Sequence, residues 1–281
     1  MTRTVMKTLL AGIAAVTMGA SIAQAGPLMD RIEAGQPIRI GFANEIPFAY
    51  PGDDGSPRGF VNAHTLGVLE AMGHTNIEAV QTEWGGLIPG LNAGRFDIVT
   101  GGMNILASRC ENIAFSEPMA KVGDAFIVAP GNPKNIGNYE SVAESGAIMV
   151  TGAGYSNIEA ARAAGVADSN IMQVPGPTEI LAAVRAGRAD AGGGTYFTVR
   201  QLADSSGGAV EVTDPSAMPE DAVNWAGIGF RKDDTDFLAR FNEAQKAYLG
   251  SPDMLEAVAE YGYDEGSLPG DRTTEWVCAN R

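Results

Sequence analysis

Helix-length segments alternate with short apolar runs along this chain, and the alternation breaks once and then restarts. Ile38 to Phe42, Ile77 to Val80, Phe96 to Thr100 and Val122 to Val128 read as strands. Between them, Val61, Thr65, Val68, Leu69 and Met72 share one helical face, and Leu87 to Ala93 reads as a helix ended by Gly94. Pro130-Gly131-Asn132-Pro133 then interrupts every regular pattern. Beyond it, Ile148 to Gly152, Ile171 to Val174, a segment near Asp190, Val210 to Val212 and Trp225 to Phe230 read as extended. Helices are predicted over Ser156 to Ala164, Thr178 to Ala186 and Thr198 to Asp204. Two more finish the chain: Thr235 to Leu249 with Thr235 as N-cap, and one capped by Ser251 with Pro252 in its first turn.

This alternation predicts an α/β fold with parallel pairing. The break and restart predict two lobes, the second inserted into the first. Residues 26–130 and 223–281 would form one lobe and 131–222 the other, with a hinge at crossings near Val128–Pro133 and Glu220–Ala226.

Residues 1–25 read as an address rather than structure. Arg3 and Lys7 precede an apolar run from Leu9 to Ala20, and Ala23-Gln24-Ala25 offers small-x-small cleavage. The run falls short of the roughly 20 residues that span a bilayer, and no cysteine marks a lipid attachment point. Export to the periplasm with cleavage near Ala25 is the expectation. The formal net charge is −15, with 34 acids against 19 bases, which argues against nucleic acid as a partner. Cys110 and Cys278 make an even count in an exported chain, which favours one disulfide over two buried free thiols.

Four residues dominate the functional reading. Glu45, Phe48 and Trp84, together with Arg109, put an acid, two aromatic faces and a guanidinium on loops able to converge over one small molecule. A carboxylate suits the arginine fork, and a delocalised cation suits the aromatic faces and the glutamate. None of the four is habitually a nucleophile or metal ligand, so the chain reads as a binder before an enzyme. His64 and His74 are far apart in sequence, with His64 on the apolar side of its helix and His74 in a turn; no metal or other cofactor is expected. Gly192-Gly193-Gly194 lacks dinucleotide or Walker spacing and suggests close backbone approach instead.

Glu83-Trp84-Gly85-Gly86-Leu87-Ile88-Pro89-Gly90-Leu91-Asn92-Ala93-Gly94-Arg95-Phe96-Asp97 closely resembles a stretch of the polar amino acid-binding proteins of ABC importers. Gly102-Met103 followed by Arg109, Phe115-Ser116-Glu117-Pro118, Gly187-Arg188-Ala189-Asp190-Ala191 and Tyr261-Gly262-Tyr263 extend the resemblance over nearly all of the chain beyond residue 25. It implies the two-lobed, type II periplasmic binding protein fold with a ligand cleft at the hinge. It also implies an ABC permease in the inner membrane as transient partner. Ala43-Asn44-Glu45-x-Pro47-Phe48, Trp84, Arg109-Cys110 and the cysteine after Thr273-Thr274 look most like the ectoine/hydroxyectoine-binding branch.

The resemblance implies that Arg109 grips the ligand's carboxylate. The turn Gly152-Ala153-Gly154-Tyr155-Ser156-Asn157 precedes a helix, so backbone N–H groups around Tyr155 and Ser156 are candidates for the same carboxylate. Gly102 lies in the matched segment and is a further candidate. Two positions depart from the family pattern. Thr195 stands where amino acid binders carry an aspartate for the α-ammonium, and Asn104 where they carry Ser or Thr. The ectoine branch places a cage aromatic at the latter, so Tyr155, Tyr196 or Trp225 would have to complete the cage. Tyr50 is a lesser candidate.

The reading is therefore a monomeric solute-binding protein for ectoine, hydroxyectoine or a similar cyclic zwitterion. A polar amino acid or opine binder, with Asn104 and Thr195 holding the ammonium, is the alternative. A hydro-lyase on the same fold, with Glu45 as general acid, is more remote. Presentation of the ligand to a membrane sensor is compatible with all the motifs.

Overall fold

The computed structural model describes residues 26–219 and 222–281. The expected signal peptide lies outside them. In chain order the first series is α1 (Pro27–Glu33), β1 (Ile38–Phe42), β2 (Tyr50–Pro51), β3 (Pro57–Arg58), α2 (Phe60–Ala71), β4 (Ile77–Gln81), α3 (Leu87–Asn92), β5 (Ile98–Asn104), α4 (Ala107–Cys110), β6 (Ala114–Phe115) and β7 (Ala120–Val128). The second is α5 (Tyr139–Glu144), β8 (Met149–Gly152), α6 (Ser156–Ala163), β9 (Ile171–Val174), α7 (Pro177–Arg185), β10 (Ala191–Thr195), α8 (Tyr196–Ser205) and β11 (Glu211–Val212). The chain then closes with β12 (Val223–Phe230), α9 (Thr235–Tyr248), α10 (Pro252–Ala259) and α11 (Thr274–Asn280).

Strand order β4-β1-β5-β12-β7-β10-β8-β9 makes this an α/β molecule of two parallel half-sheets joined through antiparallel strands. β1 runs parallel to β4 and β5, and β8 parallel to β9 and β10. The join is β7. Ala120 to Gly123 pair with β12, whereas Asp124 to Val128 pair with β10. The chain thus passes from the first half-sheet to the second inside β7 and returns on β12, so the second lobe is an insertion. At that switch point Asp124 is buried, accepting hydrogen bonds from the Tyr139 hydroxyl (2.8 Å) and Asn224 Nδ2 (3.3 Å).

Each lobe has its own apolar interior. Phe42, Phe48, Phe60, Phe230, Phe237 and Phe241 anchor one cluster in the first lobe, and Phe126, Tyr139 and Met149 one in the second. Trp84, partly buried, packs against a cluster of each. His64 is fully buried, 3.3 Å from Gln245, and burial pushes its pKa down to about 4.

Cys110 and Cys278 are disulfide-bonded, with Cα atoms 6.0 Å apart. Ser251 caps α10 as expected, accepting from the Met254 N–H at 3.2 Å. Thr235 does not cap α9. It is the first helical residue, and the N-cap is Asp234, whose carboxylate instead accepts the Leu28 N–H (2.7 Å) and ties α1 to α9. The expectation of two closing helices is also corrected, because α11 follows them. At seven residues it is too short to display a helical period, and the disulfide and the Thr274 hydroxyl bond to the Ser116 carbonyl hold it in place.

Candidate ligand-binding site

Strand ends build the site. β1 runs into a loop that Glu45 and Ala49 close by exchanging two backbone hydrogen bonds, of 2.8 and 3.0 Å. β5 ends on Asn104, β8 on Gly152 and β10 on Thr195. The crevice beyond the carboxyl ends of parallel strands is where open α/β sheets receive ligands, because loop backbone groups there are left unpaired by the sheet.

Glu45, Phe48, Trp84, Gly102, Asn104, Tyr155, Ser156 and Thr195 line a single cavity between the lobes. Its volume is about 30 Å³, and it is spanned between the lobes by the hydrogen bonds of Tyr155 to Glu45, Asn104 to Ser156 and Arg109 to the Gly154 carbonyl. A ligand that takes over these groups has to part those bonds. Arg109 is not on that surface. It is 8% exposed and lies just behind the wall, with its guanidinium carbon 5.9 Å from the Trp84 ring centre. Its Nη1 donates to the Asn104 carbonyl (2.7 Å) and its Nη2 to the Gly154 carbonyl (2.9 Å), one from each lobe. Burial lowers its pKa to about 10, with Glu159 opposing, so it keeps its charge at neutral pH.

Glu45 is 5% exposed and accepts a hydrogen bond from the Tyr155 hydroxyl of the opposite lobe. Burial raises the carboxyl to about 8; the Tyr155 bond works against this, and nearby Glu83 adds to it. Burial and the adjacent acid push the Tyr155 phenol well above its ordinary range. Burial thus favours the protonated acid in this arrangement, and a cation placed beside it would favour the carboxylate.

Gly102 serves the site through its missing side chain. Its φ is +72°, and a Cβ there would stand 2.4 Å from the Phe48 ring, so only glycine lets Phe48 lie against the end of β5. Phe48 also packs on Phe60, with ring centres 4.6 Å apart, so one face belongs to the core and the rest to the cavity. Tyr155 meets Trp84 edge to face at 5.2 Å and supplies a third cavity aromatic. The other two cage candidates lie elsewhere. Tyr196 stacks with Arg200, and Trp225 donates to the Pro269 carbonyl (3.0 Å) against Trp276. Tyr50 packs on Tyr261, outside the cavity.

Ser156 begins α6, which has no side-chain cap, and its Oγ accepts from Asn104 Nδ2 at 2.9 Å across the cleft. Thr195 caps α8 by accepting the Thr198 N–H, at 3.5 Å. Gly101, Asn157 and Thr198 also line the cavity without having been singled out from sequence. Asn157 follows Ser156 in the quoted turn and was within reach; Thr198 becomes a wall residue only because α8 turns there off β10.

The model of the bacterial extracellular solute-binding proteins, family 3, matches residues 38–262. A probable amino-acid ABC transporter periplasmic-binding protein of Sinorhizobium fredii is 34% identical over 276 residues, covering 95% of this chain and 91% of the relative. The crystal structure of EhuB in complex with hydroxyectoine superposes with a TM-score of 0.81 at 28% identity, over 91% of this chain and 98% of that one. An ancestral amino acid-binding protein, a precursor of cyclohexadienyl dehydratase, superposes with a TM-score of 0.72 at 25% identity, over 84% of this chain and 99% of that one.

Proposed function

The chain belongs to family 3 of the bacterial extracellular solute-binding proteins and has their two-lobed type II fold; on that premise we propose that it captures ectoine, hydroxyectoine or a similar small cyclic zwitterion for an ABC permease. The observation that carries this reading is one Trp84 ring with a buried acid and a buried guanidinium around it. Glu45 and Arg109 are 5% and 8% exposed, and Phe48 and Tyr155 add aromatic surface. When the lobes part, the Gly154 carbonyl leaves Arg109, and the freed N–H faces outward for a carboxylate. The cation then lies against aromatic faces, worth about 0.5–2 kcal/mol, with Glu45 ionised beside it. Closure over the ligand would generate the form that the permease accepts.

In this reading residues 26–130 and 223–281 form one lobe and 131–222 the other, a division that the change of partner within β7 supports. The protein works as a monomer in the periplasm after cleavage near Ala25. In this reading it binds rather than transforms its ligand, which the family match and the transporter-protein name of the Sinorhizobium relative support.

A polar amino acid or opine is the second reading, favoured by Asn104 and Thr195 on the wall and by the name of the Sinorhizobium relative. Titration calorimetry with ectoine, hydroxyectoine, arginine, glutamine and an opine separates the two. Ectoine-type ligands are expected to bind at micromolar concentration or better, which needs only about 8 kcal/mol. Strong binding of arginine or glutamine with none of ectoine would end the first reading.

A further inference from the structure

Phe197 breaks the pattern of its helix. In α8, Val199 and Leu202 turn inward to the second lobe's own apolar cluster. Phe197, Arg200, Gln201 and Asp204 follow at helical spacing on another face, bordering a crevice whose far wall includes Ile46 and Pro47 of the first lobe. An aromatic ring among those polar side chains leaves apolar surface in water unless the far wall covers it. The far wall does. The Phe197 ring centre lies 5.7 Å from that of Phe60 and 6.0 Å from that of Phe48, the latter pair meeting edge to face at 89°. Both partners belong to the first lobe's apolar cluster, and among the described apolar residues packed on that cluster Phe197 alone comes from 131–222. Phe197 is not on the wall of the ligand cavity.

We propose that Phe197 is a positioning residue lent by the second lobe: as the cleft closes it seats against Phe48 and Phe60, holds the Phe48 ring on the cavity wall and slows release of the ligand without touching it. The proposal rests on the closing-cleft reading above and applies to any ligand that the cleft encloses. When the lobes part, Phe48 keeps Phe60 but loses the Phe197 edge. Closure therefore completes the packing of a wall ring at the moment it encloses the ligand. Edge-to-face pairs stabilise beyond the area they bury, and here that gain exists only in the closed form. It opposes reopening, which must precede release, so its effect falls on the dissociation rate.

The test is stopped-flow release of hydroxyectoine from the full mature chain, followed by tryptophan fluorescence; arginine replaces it if arginine alone binds. Phe197→Ala should release ligand about 5- to 50-fold faster than the natural protein. Val199→Ala, on the same helix but packed into its own lobe, should lower the melting temperature and leave release unchanged. In a Phe48→Leu background the acceleration by Phe197→Ala should shrink by about threefold or more, because one of its two ring pairs is already gone. Unchanged release in Phe197→Ala overturns the proposal, and so does equal acceleration by Val199→Ala, which would reduce the effect to helix stability. A full effect in the Phe48→Leu background overturns the positioning role. If Phe197→Ala does not fold, Phe197→Leu, which keeps bulk but loses the ring edge, should release about 2- to 10-fold faster, and an unchanged rate overturns the proposal. Arginine binding without hydroxyectoine ends the ectoine reading and leaves this test in force. Binding of neither to the natural protein marks failure of the ligand reading itself, a result distinct from unchanged release, and the proposal falls with it.

Discussion

Glu45 and Tyr155 meet across the cleft, the phenol of one lobe donating to the carboxyl of the other, 110 residues apart in sequence. In the proposed reading a ligand's cation sits at this contact, so occupancy and the latch would compete for the same carboxyl.

That competition has a pH signature. Burial holds the Glu45 carboxyl at about 8 against an ordinary value of 4.5, so the latched arrangement favours the protonated acid. Its contribution is complete below the ordinary value and is lost as pH rises through about 8. A cation needs the ionised form, so binding should release a proton below pH 8. Affinity for the zwitterion should rise between about pH 5 and 8, by at most about tenfold per unit. Calorimetry in two buffers of different ionisation heat reads the proton directly. Glu45→Gln should erase both the release and the slope; a flat profile in the natural protein contradicts the assignment.

Arg109 holds one carbonyl from each lobe, Asn104 and Gly154. Arg109→Lys keeps the charge but loses the planar fork. Ligand affinity is expected to fall about 10- to 150-fold, the worth of one charge-assisted hydrogen bond. Equal affinity in Arg109→Lys would remove the arginine from the carboxylate's side of the reading.

Gly102→Ala would set a Cβ 2.4 Å from Phe48 at a φ of +72°. Both effects destabilise, by about 1–3 kcal/mol together, and displacement of Phe48 should weaken ligand binding in the same variant. Gly85→Ala, whose added Cβ meets nothing within 4 Å, is the control and should melt with the natural protein.

The Cys110–Cys278 bridge closes a sequence separation of 168. In the chain-entropy account its loss costs about 5 kcal/mol. Reductant should lower the melting temperature of the natural protein and leave that of a Cys110→Ser, Cys278→Ser double variant unmoved.

Asp97 has no exposed side-chain surface and receives Arg39 in a two-pronged contact of 2.8 and 3.0 Å. Burial is the largest single influence and would raise its pKa, but the Arg39 guanidinium, the Arg39 backbone N–H and the Arg231 charge together hold it below the ordinary range. Its contribution is therefore present above the unfolded value and lost as pH falls through the folded one. Asp97→Asn should destabilise by about 3 kcal/mol and flatten the acid limb of a stability profile, read by urea unfolding.

Much of the wall was legible because strand ends are local events. Phe42 ends an apolar alternation, and Glu45 and Phe48 sit on the loop that must follow; Trp84 and Tyr155 follow β4 and β8 in the same way. Arg109 was visible by motif, yet its burial behind the wall was not, since its partners are main-chain carbonyls that carry no sequence signal. The cage aromatics show the same divide. Tyr155, Tyr196 and Trp225 were equal candidates along the chain, and only packing turns Tyr155 inward and Trp225 toward Trp276.

The sequence alone determined the alternation of strands and helices, the interruption at Pro130 to Pro133 and the chemistry available to the loops. Periodicity and turn residues act over a few positions, so they can be read there. Tertiary structure decided that Asn104 keeps an unpaired oxygen and that Tyr155 meets a Glu45 carboxyl whose burial raises its pKa. Both depend on which groups two lobes bring together while excluding water, and solvent exclusion is a property of the closed assembly rather than of any stretch of chain.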